Sequence, residues 1–251
     1  MNTNLSINLN KVALLRNQRD VGYPCPVAAG RTILAAGAHG LTIHPRPDER
    51  HIRKIDAHAL ALFLDEEGHR ARGVEFNIEG NPFESWLDLV HELSPDQATL
   101  VPDSPDQNTS DHGWDVPANA ARLREIIAGL KNRGIRVSLF MDPDPASMKA
   151  ARDVGADRIE LYTGPYAHAF AGSERATYLA RYAAAAGAAR EVGLEVNAGH
   201  DLTTENLPAF KKAIPFLSEV SIGHGFVADA LWWGLESTVH AYLKALARHD
   251  D

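Results

Sequence analysis

Cysteine is almost absent: Cys25 is the single one in 251 residues. A lone thiol excludes an intrachain disulfide and a thiolate zinc cluster, and it fits a reducing compartment. No run approaches the roughly 18 apolar residues that cross a bilayer, so no membrane partner is expected. The first ten residues lack a basic stretch followed by a long apolar one. No secretory signal is therefore expected, and the expected location is the cytoplasm. Positive charge is scarce as well, with 25 Lys and Arg against 33 Asp and Glu and a net charge of −8. That balance argues against a nucleic-acid partner, and an anionic ligand would need positive charge gathered locally. No glycine-rich dinucleotide fingerprint follows the first strand-like run, which lowers the option of a doubly wound sheet. Neither a His-x-His on that run nor a His-Glu-x-x-His helix is present, so no metal is expected. No linker or low-complexity segment divides the chain, and one domain over 1–251 is expected.

What is present is an alternation. Apolar content of 45% and charged content of 23% are ordinary for a globular protein. Strand-like runs fall at 5–10, 40–44, 73–78, 98–102, 135–141, 158–162, 194–198 and 220–223. Helix-like segments fall between them at 26–38, 56–67, 82–92, 117–133, 145–154, 173–192 and 204–213, with a last one at 228–248. Pro82 opens one helix, and Gly134, Gly155 and Gly193 close others. Eight β/α units in this length predict an α/β fold, a (β/α)8 TIM barrel.

Parallel strands are usually apolar on both faces. Here Leu5, Ile7 and Leu9 alternate with Ser6, Asn8 and Asn10, and Val74 and Phe76 alternate with Glu75 and Asn77. The same pattern recurs around Thr42, His44, Glu160, Asn197 and Ser221. In a barrel the apolar set faces the helices, which leaves a polar lumen holding Asn8, Asn10, His44, Glu75, Glu160 and Asn197. Such a lumen is costly unless it binds something or hydrogen-bonds to itself.

Active sites of these barrels lie at the C-terminal strand ends, where His44, Glu75, Glu160 and His200 are expected as a proton-transfer set. Pro45 and Pro47 hold a loop that carries Arg46, Arg50 and His51, side chains suited to phosphate or carboxylate. Arg16 and Arg19 in the first loop are further candidates for an anion. Gly223-His224-Gly225 after the last strand fits a backbone phosphate site. His44, His51, His200 and His224 have the side chains for a metal cluster at one mouth, which is the weaker reading. The polar loop 103–115 is long for a βα connection and is a candidate lid.

Seven short pieces, in order, resemble the pyridoxine 5′-phosphate synthase family of vitamin B6 biosynthesis. They are Leu14-Leu15-Arg16-Asn17, the His44, Arg46, Arg50-His51-Ile52 loop, Leu100-Val101-Pro102, Val137-Ser138-Leu139-Phe140, Ile159-Glu160-Leu161-Tyr162-Thr163-Gly164, Val196-Asn197-Ala198-Gly199-His200 and Ile222-Gly223-His224. The resemblance implies a barrel with extra helices, assembled as a homo-octamer built as a tetramer of dimers. It implies a transferase that condenses 1-deoxy-D-xylulose 5-phosphate with 3-amino-2-oxopropyl phosphate, without cofactor or metal. It implies general-base roles for His44 and Glu75, a proton-donor role for His200, and transition-state stabilisation by Glu160. It places Asn8, Gly223 and His224 on the aminoketone phosphate, and Arg19, Arg46, His51 and Thr109 on the pentulose phosphate. Two departures from the family pattern stand out. Asn10-Lys11 stands where Asp-His is usual, and Asp201 where Gly is usual, so substrate contacts at Asn10 and Asp201 are expected to rest on an amide and on the backbone. Rival readings are another sugar-phosphate enzyme, such as an aldolase using Lys11, and a non-catalytic binding paralogue.

Overall fold

The computed structural model describes residues 3–19, 21–107 and 109–247. Eight parallel strands close on themselves in chain order, β1 to β8. The elements run β1 (Asn4–Asn8), α1 (Asn10–Asn17), α2 (Pro26–Ala35), β2 (Gly40–Ile43), α3 (Lys54–Glu66), β3 (Glu75–Gly80), α4 (Glu84–Leu93), β4 (Gln97–Leu100), α5 (Val116–Lys131) and β5 (Arg136–Met141). They continue as α6 (Met148–Asp153), β6 (Arg158–Tyr162), α7 (Gly164–Ala169), α8 (Arg175–Glu191), β7 (Glu195–His200), α9 (Leu207–Ala213), β8 (Glu219–Ile222), α10 (His224–Trp233) and α11 (Leu235–Ala247). This is the (β/α)8 barrel expected from the alternation, with α1, α7 and the split last helix as additions. No described helix is long and apolar enough to cross a membrane.

The two-residue alternation sorts the strands as expected. Leu5, Ile7, Leu41, Ile43, Phe76, Ile78, Ile159 and Leu161 are fully buried between sheet and helices. Their polar neighbours bond to each other across the lumen. Ser6 meets Thr42 at 2.8 Å, Asn77 donates to Thr42 at 3.4 Å, Thr99 donates to Asn77 at 3.0 Å, and Asn197 donates to Glu219 at 3.4 Å. The middle of the barrel is thus a largely hydrogen-bonded polar layer, in which Asn197 Oδ1 and Ser138 Oγ are left without a partner.

Most boundaries shift by a few residues, and three of the differences have a clear local reason. Strand β1 stops at Asn8, whose Oδ1 accepts the Asn10 amide at 2.9 Å and turns the chain into α1. That side-chain turn competes with the strand ladder. Gly73, expected inside a strand, has φ +85° and closes a short 3-10 turn, so β3 begins two residues later and reaches Gly80. Gly234, at φ +79°, breaks the last helical run into α10 and α11, and the expected end at Arg248 lies outside the described residues.

Helix α1 is fastened to α3 by Arg16, which pairs with both carboxylate oxygens of Asp56 and is buried with it. Arg16 is therefore a packing element rather than an anion site. Removing one partner strands a buried charge, so Asp56→Ala is expected to lower stability by about 3 kcal/mol in urea denaturation. A loss below about 1 kcal/mol, the level of a surface pair, would contradict the assignment.

Candidate active site

A cavity of about 330 Å³ opens at the C-terminal ends of the strands. Asn8, Asn10, His44, Arg46, His51, Thr109, Glu160, His200, Asp201, Gly223 and His224 all line it. Arg19 does not; it lies on the exposed turn after α1. Lys11, Glu79, Ser110, Phe140 and Ser221 line it as well. Lys11 reaches the cavity because the chain has already left the strand at Asn8.

Glu75 requires a correction. As the first residue of β3 it sits at the opposite, N-terminal mouth of the barrel. Four residues of strand separate it from Glu79, about 13 Å along the barrel. There it pairs with Arg136 and lies 3.6 Å from Arg158. Both arginines also donate to Gln97, at 3.0 and 3.1 Å, and Arg158 donates to Glu195 at 2.6 Å. These residues open β4, β5, β6 and β7, so the cluster is an ionic plug at the barrel floor. The carboxylate at the cavity mouth is Glu79, on the same face of the same strand.

Glu79 accepts from Asn8 Nδ2 at 3.2 Å, and its Oε2 lies 3.8 Å from His44 Nδ1. Burial, with Glu160, Asp103 and Glu219 nearby, pushes its carboxyl well above the ordinary range, while Arg46 opposes. Burial also drives His44 well below its ordinary value, reinforced by Arg46, His51, Arg50 and His200. Both shifts favour the neutral forms, a carboxylic acid beside an uncharged imidazole. Glu160 is raised to about 7 by burial, with His200 opposing. Gly199 lets the backbone pack close to it, since a Cβ at that position would meet Glu160 Oε1 and the Ser221 carbonyl. His51, lowered to about 4 by burial and then by Arg46, Lys11 and Arg50, is neutral too.

His200 ends β7 with φ +86°, a left-handed conformation that non-glycine residues adopt under strain. Its Nε2 meets Thr109 Oγ1 at 2.6 Å, and its Nδ1 meets Asp201 Oδ2 at 2.7 Å. Thr109 belongs to the long loop between β4 and α5, and that loop is closed over the mouth. Arg46 pairs with Asp103 of the loop and donates to Gln107 O at 2.8 Å. Arg50 donates to Gln107 O at 3.1 Å and Pro105 O at 3.0 Å, which gives it a structural role that the sequence did not reveal. Ser110 donates to Asp103 at 2.6 Å, on the same oxygen that Arg46 uses. A second cavity, about 500 Å³, lies behind the Arg46–Asp103 pair and shares His44 and Arg46 with the first.

Across the mouth, Gly223 caps α10 and His224 opens it. A helix N-terminus aimed at a cavity offers free N–H groups to an anion. All four histidines named above line the cavity, but among the described residues no three His, Cys, Asp or Glu side chains are arranged to hold a metal ion.

The family model for pyridoxal phosphate biosynthesis protein PdxJ matches residues 5–248. Pyridoxine 5′-phosphate synthase of Mesorhizobium japonicum is 56% identical over 98% of this chain and 99% of that protein. The protein of the same name from Albidiferax ferrireducens is 53% identical over 99% of both. Solved structures share the fold at low identity. An Aquifex aeolicus protein has a TM-score of 0.64 at 15% identity, covering 98% of this chain and 94% of its own. A phosphoribosyl anthranilate isomerase has a TM-score of 0.57 at 14% identity, covering 97% and 98%.

Glu160 generates a pH-dependent prediction. Its folded value of about 7 lies above the ordinary 4.5, so the folded state holds the proton more tightly than the unfolded state. That contribution is complete below about pH 4.5 and is lost as pH rises through about 7. Glu160→Gln is therefore expected to gain on the native protein by up to about 3 kcal/mol between pH 5 and pH 8 in denaturation measurements. A gap independent of pH would place the Glu160 carboxyl at its ordinary value.

Proposed function

The chain belongs to the PdxJ family of pyridoxal phosphate biosynthesis proteins, and from that premise we propose that it condenses 1-deoxy-D-xylulose 5-phosphate with 3-amino-2-oxopropyl phosphate. The products are pyridoxine 5′-phosphate, inorganic phosphate and two waters. The observation that carries this reading is a cavity with cationic and N–H anion-binding groups at its two sides and neutral acid–base groups between them. On one side stand Arg46, His51 and the lid residue Thr109, suited to the pentulose phosphate. On the other stand Asn8, Gly223 and His224, suited to the aminoketone phosphate.

The chemistry joins an amine to a ketone and then closes a ring. Amine attack on the ketone, followed by loss of water, gives an imine. Ring closure forms the carbon–carbon bond, a second water leaves, and phosphate is expelled. Each step moves a proton. His44, held neutral and next to Glu79, accepts protons from carbon and nitrogen. Glu79, rather than Glu75, is the carboxyl that exchanges protons with His44, and its raised value suits it to give a proton before taking one back. His200 delivers protons to departing hydroxyl groups. Glu160, titrating near neutrality, is placed to balance positive charge on an iminium. The closed lid excludes water, which protects the imine from hydrolysis.

In this reading the enzyme works in the cytoplasm as a homo-octamer and needs neither metal nor organic cofactor. The exposure of Leu231, Trp232 and Trp233, with Trp232 85% exposed, supports a subunit contact. The reading at Lys11 is different: its place on the cavity wall favours a lysine Schiff base, as in an aldolase. Borohydride trapping of substrate on Lys11 would support that alternative.

The direct test is to mix the two phosphates with the purified protein, with and without chelator, and follow pyridoxine 5′-phosphate. Product in both arms is expected; absence of product in both sinks the proposal. His200→Ala should lower kcat by about 100-fold or more with the fold intact. Thr109→Ala should raise KM for the pentulose phosphate, and an unchanged KM removes Thr109 from that subsite.

A further inference from the structure

The Asp201 side chain is not used by the reaction as set out above, yet it makes the shortest side-chain contact of His200 Nδ1, at 2.7 Å. We propose that Asp201 is a positioning residue for His200, fixing Nδ1 as a donor nitrogen and favouring the imidazolium, so that Nε2 delivers the proton into the cavity. This deepens the role given to His200 above and rests on that reading.

Three observations carry it. An ionised carboxylate only accepts hydrogen bonds, so His200 Nδ1 must donate and Nε2 is left as the nitrogen that gains and loses a proton. Nε2 faces the cavity side, where it meets Thr109 Oγ1 of the closed lid at 2.6 Å. The three side chains therefore form a hydroxyl–imidazole–carboxylate chain whose outer end is supplied by the loop between β4 and α5. Lastly, His200 sits at φ +86° at the end of β7, so its ring is aimed by what it touches beyond the strand. The Asp201 hydrogen bond and an edge contact from the Tyr162 ring, at 5.6 Å between centroids, set the ring plane.

The charges around His200 come from every wall of the site. Glu160 on β6 favours the imidazolium, while His44 beyond β2 opposes it when charged. His224, at the start of α10, acts on Asp201. Burial pushes the Asp201 carboxyl up, but the hydrogen bond from His200 and the charges of His200 and His224 carry it below the ordinary range. Asp201 is thus ionised at neutral pH, and among these groups it alone is hydrogen-bonded to the ring.

The test is histidine C2 hydrogen–deuterium exchange followed by mass spectrometry across pH, which reads each histidine of the intact assembly. Asp201→Asn keeps an acceptor and removes the charge; Asp201→Ser is the second variant should the first fail to fold. The His200 pKa is expected to fall by about one unit, with His39 unchanged. In the synthase assay kcat should fall about tenfold at pH 8 and recover towards pH 6, with KM little changed, and Asp201→Glu should restore it. A His200 titration unchanged in both neutral variants overturns the proposal, as does a kcat loss of equal size at every pH. If the native protein makes no pyridoxine 5′-phosphate, the assigned reaction fails, while the exchange titration still decides whether Asp201 governs His200.

Discussion

Burying carboxyl groups in a closed barrel, away from water, is the constraint on which the rest of the structure depends. Glu79, Glu160 and Glu219 share one lumen, and burial is the largest cause of each of their raised values. Ionising all three together would place like charges in a region of low polarisability. The barrel answers at each level. The floor is closed by arginines on Glu75, the middle is a hydrogen-bonded layer of neutral side chains, and the rim brings histidines and Arg46 to the upper carboxyls. The outcome is a set of groups whose shifts all favour the neutral form, with Glu160 brought to about 7.

The lid is coupled to the same electrostatics. Arg46 faces the cavity, lowers the Glu79 and His44 values, and also pairs with Asp103. In the proposed reaction, a phosphate entering that side would compete with Asp103 for the guanidinium. One arginine therefore links charge in the cavity to the loop that carries Thr109 over His200. Arg50 adds to the link through backbone carbonyls of the loop, independently of any ligand.

The alternation of polar and apolar residues revealed the barrel, its polar lumen and most of the rim. It was sufficient because period two decides which face a residue takes, and parallel strands with polar inner faces have few other solutions. Period two does not decide height. Glu75, Asn77 and Glu79 all point inward, and choosing among them requires the strand ends. Gly73 looks like strand from its neighbours but adopts a left-handed turn, and a strand placed two residues too early ends before Glu79 and leaves it out of the rim. The ionic plug at the floor involves Arg136, Arg158 and Gln97 from three strands, and nothing local in the sequence marks them as partners. Asn10 was assigned to the rim correctly, although as the first residue of a helix rather than the last of a strand. The pairing of Asp201 with His200 depends on a φ of +86° that no residue type at that position announces.

The central claim is that proton transfer is performed at the upper mouth by Glu79 with His44, while Glu75 holds the floor. Side-by-side kcat values for Glu79→Gln and Glu75→Gln, at saturating substrate and with the fold verified, address it most directly. The account predicts a loss of about 100-fold or more for Glu79→Gln. It predicts kcat within about threefold of native for Glu75→Gln, with stability lower by about 2 kcal/mol. Near-native turnover in Glu79→Gln together with a collapse in Glu75→Gln would contradict it.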